Sequence, residues 1–201
     1  MGNQIIREPV QQRSIDKRNR IIEAGYQLFS EKGYYNTNTV EIAKLAGVST
    51  GIVYSYFKDK KDIFILSIET YYDNIASPLF EQISKIKTPL VLDDIVRQII
   101  VMMTHSHTLV KSVHEEMQAL AHTDEDISEL FCRFQASMAQ KLVTNLEEYD
   151  IRPTNAYEKA HLIINMVENL VHEIVYHHHE YLNYDVMTEE AINVIKIMLA
   201  N

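Results

Sequence analysis

Residues Asn36 to Phe64 read NTNTVEIAKLAGVSTGIVYSYFKDKKDIF. Asn38 can accept the unpaired N–H groups of a helix beginning at Thr39, and Glu41 stands three residues later to complete a capping box. Ile42, Ala43 and Ala46 then share one face. Gly47 supplies the backbone freedom that a sharp turn needs after so short a helix. Ser49 opens the next helix, which Val48, Ile52 and Val53 anchor inside, leaving Thr50, Gly51, Tyr54, Ser55 and Tyr56 to face outward.

Two short helices about a glycine turn, the second with a polar outer face, predict a helix-turn-helix suited to a DNA groove. For the bare pattern, a helical hairpin packed in a core is the alternative. Glycine at position 51 costs about 1 kcal/mol of helix propensity relative to alanine. Its place near the helix start therefore points to a close backbone approach, to a phosphate or a base edge.

The flanking residues weigh against the hairpin. Ile21, Ile22, Ala24, Leu28 and Phe29 form the buried side of a preceding helix, and Gly33-Tyr34, Thr37, Ile42-Ala43, Ala46-Gly47-Val48-Ser49, Gly51, Tyr54, Tyr56-Phe57-Lys58 and Lys60-Lys61-Asp62-Ile63-Phe64 follow in order. From about Lys17 to Phe64 this resembles the amino-terminal domain of TetR-type transcriptional repressors. Two departures stand out: Thr39 occupies a position usually hydrophobic in that family, and Thr50 one that is often basic.

The resemblance implies a DNA face of Asn38, Thr50, Gly51, Tyr54, Tyr56 and Lys60, with Thr39, Ser49 and Ser55 beside them. Tyr54, Tyr56 and Lys60 are expected mainly on phosphates, since hydroxyl and ammonium groups hold the backbone without reading sequence. Thr50 and Ser55 can bond base edges, and the threonine methyl can touch thymine. With no arginine on this helix, guanine forks are not expected to dominate.

Charge agrees with such a division. Residues 1–61 hold ten Lys/Arg against six Asp/Glu, a net of +4, and residues 62–201 hold nine against twenty-two, a net of −13. The asymmetry is the informative quantity, because the whole-chain net of −9 would by itself argue against nucleic acid. Arg7, Arg13, Lys17, Arg18 and Arg20 cluster where a flexible arm and first helix could follow a phosphate backbone. The expected organisation is a basic arm over 1–14, a three-helix helix-turn-helix domain over 15–61, and a larger helical ligand-binding and dimerisation domain over 62–201.

At 201 residues the chain has room for that head and a body with its own core. The lone Cys132 excludes an intramolecular disulfide framework, and neither a leader nor an apolar run of about twenty residues is evident, so a cytoplasmic protein is expected. Five glycines, four prolines and no alternating strand-type runs make the fold all-α. Breaks at Ser77-Pro78, Thr88-Pro89, Thr123-Asp124, Asp150 to Pro153 and Asn183 to Asp185 divide the body into about six helices. Asp62 to Ala76 is the expected lever between head and body.

The last two predicted helices, Thr154 to Tyr181 and Met187 to Leu199, carry apolar residues on adjoining faces, which suggests burial against a second surface. The resemblance implies a homodimer through a four-helix bundle. Its expected face takes Ile164, Val167, Val171, Ile174 and His178 from the first helix and Ala191, Val194, Ile195 and Met198 from the second. A two-fold dimer would set two recognition helices about 34–36 Å apart on a palindromic duplex.

The resemblance also implies a small-molecule inducer held in the body. A soft thioether and aromatic set is available for it: Tyr72, Met102, Met103 and Met117, with Phe131, Phe134, Met138 and Met166. Core packing is the alternative role for each. Two other readings remain open: a helical ligand- or partner-binding protein with weak, non-specific DNA binding, and a metal-responsive regulator using the histidine-rich segment 172–179. Against the second, His172 and His179 stand about 10.5 Å apart along a helix, although Glu168 with His172 has the four-residue spacing that ligands favour. No catalytic constellation and no cofactor are expected, since Cys132 lies in an apolar stripe without a neighbouring base.

Overall fold

Helical periodicity carries every regular element described in the computed structural model, which covers residues 11–84, 92–109 and 111–200. The helices are α1 (Gln12–Lys32), α2 (Thr39–Leu45), α3 (Thr50–Tyr56), α4 (Lys60–Ser84), α5 (Leu92–Leu109), α6 (Lys111–Ala121), α7 (Glu125–Glu148), α8 (Ala156–Val175) and α9 (Tyr184–Ala200). Among the described residues there is no strand, and no helix is long and apolar enough to cross a membrane. Arg7 and the other residues of the expected arm up to position 10, and the break at Thr88-Pro89, lie outside the described residues.

The first unit has a continuous apolar centre. Ile21, Ile22 and Phe29 of α1 meet Ile42 of α2, Val53 of α3 and Ile63, Phe64 and Ile68 of α4, all buried. Phe29 and Phe64 pack edge to face with ring centres 5.1 Å apart, the arrangement that suits aromatic quadrupoles. Gly25 lets α1 and α4 close up: a Cβ there would meet the Ile63 Cγ2 at 2.6 Å. Beside it the buried Ser67 hydroxyl donates to the Ile22 carbonyl at 3.0 Å. Gly25→Ala should therefore destabilise this unit. Overpacking costs about 1–3 kcal/mol against about 1 kcal/mol of regained helix propensity, a net loss readable as a lower urea midpoint.

The head recruits more chain than its sequence suggests. α6 and the start of α7 pack in the same unit as α1 to α3 and the first half of α4. The Tyr34 N–H donates to the Glu116 carboxylate, and Lys61 bridges Asp124 at 3.0 Å and also reaches Asp126. Asp124 in turn caps α7 by accepting the Asp126 and Ile127 N–H groups, and its bonds to Lys61 hold its carboxyl below the ordinary aspartate value. The boundary expected at residue 62 follows a shift in charge, whereas packing draws in helices distant along the chain.

The second unit joins α5, α8, α9 and most of α7. Its core holds Val96 and Ile100 of α5, Val167, Leu170 and Val171 of α8, and Ile192 and Ile195 of α9. Two expected breaks fall where the helices do end: α6 stops before Thr123, and Asp150 and Asn155, both at positive φ, frame the turn from α7 to α8. The break expected at Ser77-Pro78 does not occur, since α4 continues to Ser84. A proline removes one hydrogen bond from a helix, and the rungs on either side can persist through it. The helix expected to reach Tyr181 stops at Val175, because the residues that follow are polar and leave no apolar stripe to bury.

Candidate nucleic-acid interface

The recognition element is built by local capping. Asn38 Oδ1 accepts the N–H groups of Val40 at 3.1 Å and Glu41 at 3.0 Å, and the Glu41 carboxylate returns to the Asn38 N–H, closing the box. Lys32 pairs with Glu41 at 2.6 Å and keeps its carboxyl below the ordinary glutamate value. Gly47 turns the chain at φ +67°, and the Val48 N–H reaches back to the Ala43 carbonyl at 3.0 Å. Ser49 then caps α3 through the Ile52 N–H at 3.4 Å.

On α3, Val53 is fully buried, Thr50, Tyr54, Ser55 and Tyr56 are half-buried, and Gly51 is exposed. The tyrosines are held in place. Tyr54 OH shares a 3.0 Å hydrogen bond with the Thr39 hydroxyl, and Tyr56 OH a 2.6 Å one with Ser14 of α1. Thr39 thus ties the start of α2 to the recognition helix, where the family more often has an apolar contact. Ser55 donates to the Ile52 carbonyl at 2.7 Å, which leaves its oxygen lone pairs as the outward group. Nothing in the protein requires glycine at 51: a Cβ there would meet only the Ser49 hydroxyl, at 4.0 Å.

Lys60 departs from its expected role on phosphate. Its ammonium donates to the carbonyls of Tyr34 at 2.6 Å and Thr37 at 2.9 Å and lies 4.1 Å from the Tyr34 ring centre. Burial brings its pKa below the ordinary lysine value, partly offset by Glu116. The α1–α2 loop turns its carbonyls inward, and Lys60 satisfies them. Lys60→Ala should therefore cost about 1–2 kcal/mol of stability through orphaned carbonyls, seen in urea unfolding without DNA. Exposed cations that the expected site omitted lie nearby in sequence: Lys44 at the end of α2 and Lys58 before α4. Arg18 lies over Phe57 at 5.7 Å, and Arg20 reaches the Gly47 turn.

The expected ligand residues do not converge. Of the eight, only Met103 and Met138 line the apolar cleft of the second unit, a cavity of about 90 Å³. Its other walls include Leu92, Ile99, Leu142, Ile163 and Leu199. Tyr72 instead donates to the Met117 sulfur at 3.6 Å within the first unit. Met102 packs on Ile95, Met166 lies in a shallower groove between α8 and α9, and Phe131 and Phe134 are not among the lining residues. Sequence reasoning missed Asn145, the one buried polar group among the described residues that line the cleft. Its Nδ2 donates to the Lys141 carbonyl at 2.9 Å, and its Oδ1 has no partner.

Most residues expected at the dimer face are turned into their own chain. Val167, Val171, Ala191 and Ile195 are buried inside their own chain, Ile164 lines the cleft, and Ile174 and Met198 pack on the core. Of the nine residues only Val194 and His178 are exposed. The apolar residues that α8 and α9 leave outside are Leu162 at 58% exposure, Val186 at 53%, Val194 at 43% and Ile197 at 65%. Both faces of these helices are apolar, so their pattern does not say which turns inward.

The described residues are all helical or in connecting turns, with a capped helix-turn-helix in the first unit and an apolar cleft in the second, the parts that a groove-reading helix-turn-helix protein uses. Residues 21–65 match the family model for bacterial regulatory proteins of the tetR family. The regulator HbdR of an Aromatoleum species is 41% identical over 75 residues, 37% of this chain and 33% of that one. AcrR of Shigella flexneri is 32% identical over 147 residues, 69% of this chain and 62% of the relative. The chain thus spans from a third to about three fifths of the length of these curated relatives. A TetR-family transcriptional regulator from Mesorhizobium loti shares the fold, with a TM-score of 0.67 at 22% identity over 94% of this chain and 98% of that one. Residues 21–65 thus form a tetR-family head, and the fold of the chain is shared with solved TetR-family regulators.

Proposed function

We propose that this chain is a cytoplasmic, ligand-responsive transcriptional repressor that binds a palindromic DNA operator as a homodimer and is released by a small organic inducer. The observation that carries the DNA reading is the outer face of α3, where Gly51 meets no demand from the protein itself and polar side chains surround it. Residues 15–61 would hold the DNA contacts: Thr50 and Ser55 on bases, Ser49, Tyr54 and Tyr56 on phosphates, and Asn38 and Thr39 shaping the entry. Lys44 and Lys58 would take the phosphate role first expected of Lys60.

The remainder of the chain would supply the effector site and the dimer. The α5–α7–α8–α9 cleft would favour an apolar molecule, because the surface its walls present is apolar throughout. An inducer must prefer one spacing of the two heads, since equal affinity for both states would shift nothing. The dimer would form through Leu162, Val186, Val194 and Ile197.

Selection from random duplexes tests the DNA reading. The expected result is an enriched palindrome with half-sites about one helical turn apart. Absence of enrichment would leave a helical ligand- or partner-binding protein.

A further inference from the structure

The second unit brings together three metal-ligating side chains from two helices. His107, buried in the last turn of α5, faces Glu168 and His172, one turn apart on α8. One ligand atom from each lies within 4.8 Å of the others. His107 Nδ1 is 2.8 Å from the Met103 carbonyl, which can only accept, so this nitrogen carries a proton. Its Nε2 then faces Glu168 Oε1 at 3.0 Å. Two lone-pair donors at that distance need a positive charge between them, either a proton or a metal ion.

The surroundings orient the set as metal sites require. A backbone carbonyl on Nδ1 fixes the tautomer that leaves Nε2 as the ligand. The His172 ring is stacked on Tyr176, with centres 4.5 Å apart, and Tyr176 OH donates to the His107 carbonyl at 3.3 Å. Two imidazoles and one carboxylate form a donor set suited to a first-row divalent cation such as zinc, with a position left for water or a further ligand. A calcium- or magnesium-type site would need oxygen donors throughout.

We propose that His107, Glu168 and His172 bind one zinc-class divalent ion per chain. Of the histidine-rich segment 172–179 the site uses His172, with the Glu168 spaced four residues before it, and leaves out His177, His178 and His179, which lie beyond the end of α8 and are exposed. There His179 pairs with Glu173 and His178 lies against Tyr184. An ion would clamp α5 to α8 beside the apolar cleft, because Met103 and Val167, next to two members of the set, line that cleft. The binding claim stands apart from the regulatory reading, and its test uses no DNA.

Chelator-treated full-length protein is titrated with Co²⁺ and then with Zn²⁺, following the visible ligand-field absorption of bound cobalt, its displacement by zinc and the melting temperature. The expected result is one ion per chain, a rise in melting temperature, and loss of the cobalt signal in His107→Asn, Glu168→Gln and His172→Asn. Affinity should fall by more than the roughly 10–100-fold that loss of an outer-shell partner produces. His178→Asn and His179→Asn should bind as the parent does. If the buried His107→Asn variant does not fold, the less buried His172→Asn and the isosteric Glu168→Gln, checked by circular dichroism, decide the matter. No cobalt signal in the parent, or a signal that survives these substitutions and disappears with those at 178 and 179, would overturn the proposal.

Discussion

For the proposed dimer, Val194→Asp combined with Ile197→Asp should leave the chain folded but monomeric, with affinity for a palindromic duplex lowered about 100-fold or more. Both residues are exposed in the single chain, at 43% and 65%, so the new carboxylates meet water there and cost little. Across a two-fold interface the same groups would be buried without partners, at several kcal/mol. Joining two heads makes the second half-site contact intramolecular, and loss of that linkage removes an avidity of about 10²–10⁴. Sedimentation should give the monomer mass, with helical circular dichroism retained and melting lowered only by loss of the dimer. Ile192→Asp supplies the contrast: Ile192 is 1% exposed, and its variant should unfold. A double variant that remains dimeric would show that the pairing surface lies elsewhere.

Gly51→Ala should make the protein more stable and the complex weaker. No protein atom lies within 4 Å of an added Cβ except the Ser49 hydroxyl at that limit, so α3 gains up to about 1 kcal/mol of helix propensity. If the α3 backbone rests against a phosphate or base edge, the methyl intrudes there instead, at about 1–3 kcal/mol for an overpacked contact, or about 5- to 150-fold in affinity. Few mutations separate the two effects so cleanly, because damage to the fold moves stability and binding in the same direction. Higher thermal stability with unchanged duplex affinity would remove the close-approach account of this glycine.

What was legible in the chain was what depends on near neighbours. Asn38 and Glu41 form the expected box, Gly47 turns at positive φ, and Ser49 caps α3, since each requirement is met within five residues. Helix phase was harder. α8 and α9 are apolar on two faces, and a shift of a few residues around the helix exchanges Val167, Val171 and Ile195, which are buried, for Leu162 and Ile197, which are exposed. Long-range partners were out of reach: Lys60 spends its ammonium on carbonyls 23 and 26 residues earlier, and His107 meets Glu168 from 61 residues away. The cleft escaped for the same reason, since thioether and aromatic content marks soft packing of any kind, and only tertiary structure leaves Asn145 with an unpaired oxygen.

The most direct test of the central claim is the affinity of the purified chain for its selected duplex and for a scrambled duplex of equal length, measured at several salt concentrations. A sequence-specific dimer should prefer the selected duplex by about 10³-fold or more near physiological salt, with log affinity falling linearly with log salt for both duplexes. Equal affinity for the two, vanishing together as salt rises, would contradict operator recognition by the α3 face.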